Sequence, residues 1–338
     1  GKCAVFEMQG GTIQDIKMGT DKSTTASNGA IFVANGGIFN MTGGKICNVK
    51  NTYYFNNFGS AAYVAGGGTM NMSDGLITGN SAHEGGAVYL RGTLNMSGGE
   101  ISGNNAWSGS GIKIGDIGKL NISGDAKILN NKYPDGRKGN IESPSNNSIV
   151  LAGDFNGKIA VQIGKLGDSF GTVTSGRIQS INSIVNDSDA SFACISGGKL
   201  IWTTKADLAI ETDAGKYTKT GDETVYGVIR ILTKSNSDAA VPVESFGTAY
   251  VKNGADETSI NTKADYNFTK NETFENGKGY IVDVVDVDTG ATYTYIPVSY
   301  YKIAGIKEMV YVTGTAFKFD VNAETVKDLG KDPADLNY

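Results

Sequence analysis

Five prolines, three cysteines and one histidine in 338 residues leave little for several familiar kinds of protein. With so little proline, the 47 glycines cannot make a collagen-like helix, which needs both residues at high density. Cys3, Cys47 and Cys194 are too few for a disulfide framework and fit no metal-binding spacing, so they read as free, mostly buried thiols, and no cofactor is implied. No apolar run approaches the roughly 20 residues of a membrane span, so no direct membrane insertion is expected. There is no excess of positive charge either. A net charge of −5 argues against nucleic acid or an anionic membrane surface as partner. The chain opens "GKCAVFEMQGG" without a signal peptide and carries no sortase motif near its end. It reads as a piece of something longer, with signal and anchor segments expected elsewhere.

What is present in quantity is glycine, and it recurs in a pattern. "TLNMSGGEISGNNA" at 93–106 repeats "TMNMSDGLITGNSA" at 69–82 and the looser "IFNMTGGKICN" at 38–48. Aligned on the central apolar residue, Met8, Met41, Met72, Met96 and Ile122 recur at spacings of 33, 31, 24 and 26 residues. Units of this size mean a solenoid or an array. A helical repeat would show a 3.6-residue period. Here apolar Leu94 and Met96 alternate with polar Asn95 and Ser97, then come Gly98-Gly99 and Ile101. That pattern is a short half-buried strand, a corner and a second short strand. The corner needs backbone angles that a β-carbon resists, so glycine stands there.

A third strand follows in each unit, at 29–34, 61–66, 86–92 and 111–116, with Ile31/Val33, Ala62/Val64, Val88/Leu90 and Ile112/Ile114 inward. Three strands closing on an apolar interior make one rung of a parallel β-helix, whose rungs stack at about 4.8 Å. The variable unit length is absorbed by outward loops at 18–28 and 48–60. Stacking turns repeated letters into columns. Asn80, Asn104 and Asn131 predict an asparagine ladder at a turn. Asn40, Asn71, Asn95 and Asn121 predict an outward polar column beside Thr42, Ser73, Ser97 and Ser123. The N-x-S/T sequons that these asparagines spell follow from a polar strand face, not from glycosylation.

The motif "NMSGGEISGNNA" followed by "GGAVYLRG" resembles the right-handed parallel β-helix repeats of adhesin-like bacterial surface proteins, a fold shared with pectin and pectate lyases. The resemblance covers about residues 5–142, and the stretches 149–175 and 196–202 are similar to the end rungs of such proteins. It implies an all-β chain, secreted or displayed on a bacterial cell surface, that binds a host surface protein or a glycan. It also brings an alternative, a polysaccharide lyase or glycoside hydrolase, and a second one, a purely structural stalk. Fold alone does not choose among them.

After Trp202 the grammar changes. Residues 205–224 are polar and read as a linker, and five strand candidates follow at 225–232, 246–252, 279–287, 292–300 and 309–319. Asp288-Thr289-Gly290 reads as a hairpin turn. The expected architecture is thus a right-handed parallel β-helix over 1–204, with terminal rungs at 149–204, a linker at 205–224, and an antiparallel Ig-like β-sandwich over 225–338. The last residues, 322–338, read as a short helix or a tail.

Four sets of residues bear on chemistry. His83-Glu84 could act as a general base with Asp74 in the same unit, but a lone histidine on a loop is usually a solvated residue. Glu7, Asp74, Glu100 and Asp125 fall in different columns, which is poor material for paired-carboxylate catalysis. Asp283, Asp286 and Asp288 offer hard oxygens to calcium at a spacing that fits no known loop. The fourth set is aromatic. Phe32, Tyr63, Tyr89 and then Lys113 take the outward position of successive third strands. Tyr53, Tyr54, Phe55 and Phe58 stand in the loop at 51–58, and Trp107 in a later loop. Such a strip either shields the sheet or binds a ligand along it. Recognition along this strip, without catalysis, is the expected activity.

Overall fold

The computed structural model describes residues 4–18, 29–51, 58–143, 148–162, 164–188, 190–204 and 302–310, and the backbone of 208–218, 225–235, 243–253, 267–268, 280–287, 292–301, 311–313 and 317–320. The chain divides into two compact units, Gly1–Thr204 with Gly305–Glu308, and Lys205–Ala304 with Met309–Tyr338. The described elements are all β.

In the first unit the repeat becomes a parallel β-solenoid. Val5–Met8, Ile38–Cys47, Thr69–Thr78, Thr93–Met96, Lys119–Gly124 and Ile149–Phe155 stack in that order. Their register sets Met8, Met41, Met72, Met96, Ile122 and Leu151 in one line. A second line, Phe39, Met70, Leu94, Leu120 and Ile149, lies two residues earlier, and both lines are buried from the second rung onward. Ile46, Ile77, Ile101, Ile128 and Ile159 form the matching buried line on the second strands. Each such side chain contributes about 1.5–3 kcal/mol by leaving water, and parallel stacking makes every rung reuse the same pattern.

The Met and Gly columns turn out to be one device. Gly75 and Gly99 hold positive φ, +101° and +76°. A β-carbon on Gly75 would come within 2.6 Å of the Met41 terminal methyl, and one on Gly99 within 2.6 Å of that of Met72. The methionine of one rung therefore occupies the space that the next rung's glycine leaves open. This is the physical reason that Met and Gly-Gly recur together.

The third strands, Ile31–Val33, Ala62–Val64, Val88–Leu90, Ile112–Ile114 and Ile141–Glu142, form a separate five-stranded parallel sheet. The last of them continues the sheet by one strand more than the repeat predicts. At the far end the parallel order stops. Lys199–Thr203 pairs antiparallel with both Ser169–Ser175 and Phe192–Ser196, joining the first-strand stack to the second-strand stack. Phe170 and Trp202, both fully buried, stack at 3.9 Å beneath this closure. Cys47 and Cys194 are free and buried, and burial pushes the Cys194 thiol up to about 12.

The second unit is built of antiparallel pairs. Leu208–Thr218, Val225–Ser235 and Tyr280–Val287 make a three-stranded sheet. Val243–Asn253, Asn267–Phe268, Thr292–Ile303, Val310–Thr313 and Phe317–Asp320 make a five-stranded one. Two expectations change. Leu208–Thr218 lies inside the segment read as a linker, yet it pairs residue for residue with Val225–Ser235. The strands flanking Asp288-Thr289-Gly290 are not hairpin partners. Both edges of Thr292–Ile303 are taken by Val243–Asn253 on one side and by Val310–Thr313 and Phe317–Asp320 on the other. Asp288 itself and residues 322–338 lie outside the described residues.

Candidate functional site

The third-strand sheet carries the aromatic row. Its parallel register sets Phe32, Tyr63, Tyr89, Lys113 and Glu142 side by side on successive rungs. Flanking residues Val33, Val64, Leu90 and Ile114 point into the core and are buried, so the alternation of a strand turns the row outward. Phe32 and Tyr63 stack with centroids 5.5 Å apart and planes 23° from parallel, Tyr63 and Tyr89 at 5.4 Å and 12°. Phe58 leans across both tyrosines, 4.5 Å from Tyr89 and 6.3 Å from Tyr63. Phe32, at one end, is 53% exposed. Burial, followed by the nearby Glu84 carboxylate and Tyr63, raises the Tyr89 hydroxyl above its ordinary value.

Beyond Tyr89 the row becomes ionic. Lys113 pairs with Glu142 at 2.5 Å. The same carboxylate accepts from the Ser108 hydroxyl at 2.9 Å, the Gly109 N–H at 2.9 Å and the Tyr133 hydroxyl at 3.1 Å. Tyr133 also lies against Gln162. Burial alone would raise the Glu142 carboxyl. The Lys113 ammonium, with Ser108 and Tyr133, outweighs burial and holds it below the ordinary glutamate value. Tyr133 is pushed up, by burial first and then by the Glu142 charge. A parallel bridge column of Phe58, Glu84 and Ser108 runs beside the row.

The remaining sequence candidates separate. Trp107 is 68% exposed and makes no ring contact with the row among the described residues; its backbone N–H donates to the His83 carbonyl at 3.0 Å. Tyr53, Tyr54 and Phe55 lie outside the described residues. His83 and Glu84 sit half-buried beside the row. Asp74 instead stands at a glycine corner, accepting from the Gly75 N–H at 2.7 Å. There it lines an open groove of about 600 Å³ with Glu100, Asp125, Lys127, Ser73 and Ser97, of which neither His83 nor Glu84 is part. Asp74, Glu100 and Asp125 thus share a groove although they belong to different rungs. Asp283 and Asp286 lie on the strand Tyr280–Val287. Among the described residues no group of three or more His, Cys, Asp or Glu side chains could hold a metal ion.

Glu142 and its partners were not legible as part of the row. The irregular stretch "NKYPDGRKGN" at 131–140 interrupts the repeat before it. A usable signal existed in the lysine at the row's outward position, since a charge there calls for an opposite one on the next rung. Comparison with known protein families, with curated proteins and with solved structures found no match.

Proposed function

We propose that the chain is a non-enzymatic, adhesin-like recognition protein of a bacterial cell surface. In this reading a right-handed β-helix of the pectin-lyase-like kind is followed by an Ig-like sandwich. The solenoid presents the row Phe32, Tyr63, Tyr89, flanked by Phe58 and ended by Lys113–Glu142, to a host surface protein or a glycan. The observation that carries the reading is the continuity of that row. Three outward aromatic rings in register, with a fourth laid across two of them, gather apolar area that a merely solvated face has no need of. A stack of rungs also gives the rigidity that holds such a strip straight for an extended partner.

The test is a binding screen of the whole chain against immobilised glycans and host-matrix proteins. Tyr63→Ala combined with Tyr89→Ala should weaken any binding at least tenfold, about 1.4 kcal/mol, while the thermal midpoint falls modestly. Unchanged affinity would move the site elsewhere. A collapse of stability would leave the stalk reading, in which the row only shields the sheet.

A second reading has one observation in its favour. Asp74, Glu100, Asp125 and Lys127 around one groove are the residue types that polysaccharide-cleaving sites use. Release of reducing ends or unsaturated products from pectic or mucin glycans, abolished by Asp125→Asn, would establish it in place of the first.

A further inference from the structure

We infer that the occupant of the row is an extended protein segment bearing aromatic side chains, and not a sugar chain; this rests on the reading of the row as a binding surface. Near-parallel rings with centroids only 5.4 and 5.5 Å apart cannot lie side by side in one plane, because their edge hydrogens would collide. They overlap face on face with an offset. Tyr63 therefore has one face against Phe32 and the other against Tyr89, and Phe58 leans at 46° onto Tyr89. What the stacked part of the row turns outward is ring edges.

That distinction selects the ligand. A sugar bound by aromatics lies flat on an open ring face, and in this row Tyr63 has spent both faces on its neighbours while Tyr89 lies between Tyr63 and the tilted Phe58. Ring edges carry the positive part of the aromatic quadrupole and attract the negative face of another ring in T-shaped contact. An aromatic side chain laid face-down across Tyr63 and Tyr89 meets that charge complement. Further along, Glu142 is engaged by Lys113, Ser108, Gly109 and Tyr133, and the Lys113 ammonium keeps donor capacity for a polar side chain at the segment's other end. From Phe32 to Glu142 the row spans four rung spacings, about 19 Å, which roughly six residues of extended chain would cover at about 3.3 Å each.

The experiment selects a phage-displayed random peptide library on the whole chain, with depletion against the Tyr63→Leu/Tyr89→Leu variant. In parallel the chain is titrated with two uncharged glycan probes, cellohexaose and xylohexaose. Far-UV circular dichroism and the thermal midpoint check that the variant is folded. Should it fail to fold, Phe32→Leu replaces it, because a ring 53% exposed at the end of the row is not part of the core. The expected result is enrichment of peptides with two or more aromatic residues, whose affinity falls at least tenfold in the leucine variant and persists in Tyr63→Phe/Tyr89→Phe, which keeps the edges. Binding of either glycan that is lost in the leucine variant, with no such peptides selected, would overturn the inference and leave the row as the site. Neither peptides nor glycans depending on the row would overturn both.

Discussion

Two asparagine columns climb the solenoid, one in its wall and one on its surface, and they run in opposite directions. In the buried column Asn80 donates to Asn104, Asn104 to Asn131 and Asn131 to Asn140, at 2.9–3.1 Å, and the chain ends on the Asp187 carboxylate. On the surface Asn121 donates to Asn95, Asn95 to Asn71, Asn71 to Asn40, and Asn40 to Glu7, at 2.6–2.7 Å. Each file of amides is thus terminated at its donor end by an acceptor that needs no proton of its own. The difference lies in how fully each amide is used. The Asn104 oxygen accepts both the Asn80 backbone N–H and its side-chain amide, and its own amide also reaches the Ile77 and Ser102 carbonyls. Asn95, half-buried, makes one side-chain bond in each direction. A buried amide must be satisfied completely, whereas an exposed one only has to be compatible with its neighbours.

The comparison predicts a ranking. Asn104→Ala should cost the most, about 3 kcal/mol or more, because it strips partners from the Asn80 N–H, the Ile77 carbonyl and Asn131 in a dry turn; chemical denaturation reads this directly. Glu142 comes next, as the acidic end of the third column. Its folded pKa is depressed, so its contribution is present above the unfolded value and is lost as pH falls through the folded one. Stability measured below roughly pH 5 should fall in the native chain, and Glu142→Gln should remove that part of the acid dependence while lowering stability at neutral pH. Smallest is Asn95→Ala, at about 1 kcal/mol or less, since water replaces what the surface file loses. A cost for Asn95 equal to that of Asn104 would end the distinction between the columns.

Much of this was readable in the sequence because parallel stacking repeats a residue wherever it repeats an environment. Met41, Met72 and Met96, both asparagine files as far as Asn131 and Asn121, and the row Phe32, Tyr63, Tyr89 were all visible as recurrences. What did not recur stayed hidden. Asn140 follows Asn131 after only nine residues, and Asp187 comes 47 residues later still; a cap is used once and leaves no repeat. Recurrence also names a column without orienting it, so sequence placed the aromatic residues but could not tell faces from edges. In the second unit no repeat operates. The polarity of 208–218 hid a strand whose backbone pairing is independent of its side chains, and the turn chemistry of Asp288-Thr289-Gly290 said nothing about which sheet either flanking strand would join.

The central claim is that residues one repeat apart are neighbours across a parallel ladder, and engineered cross-linking tests it most directly. Thr69 and Thr93 are Cα partners on adjacent rungs, and Lys119 is the partner of Thr93 on the next. Strand neighbours about 4.8 Å apart lie within disulfide range, and residues two rungs apart, about 9.6 Å, do not. Under mild oxidation Thr69→Cys with Thr93→Cys should form an intramolecular disulfide, mapped by mass spectrometry of the digested chain, and Thr69→Cys with Lys119→Cys should not. No bond in the first pair, or equal bonding in both, would contradict the register and with it every column described above.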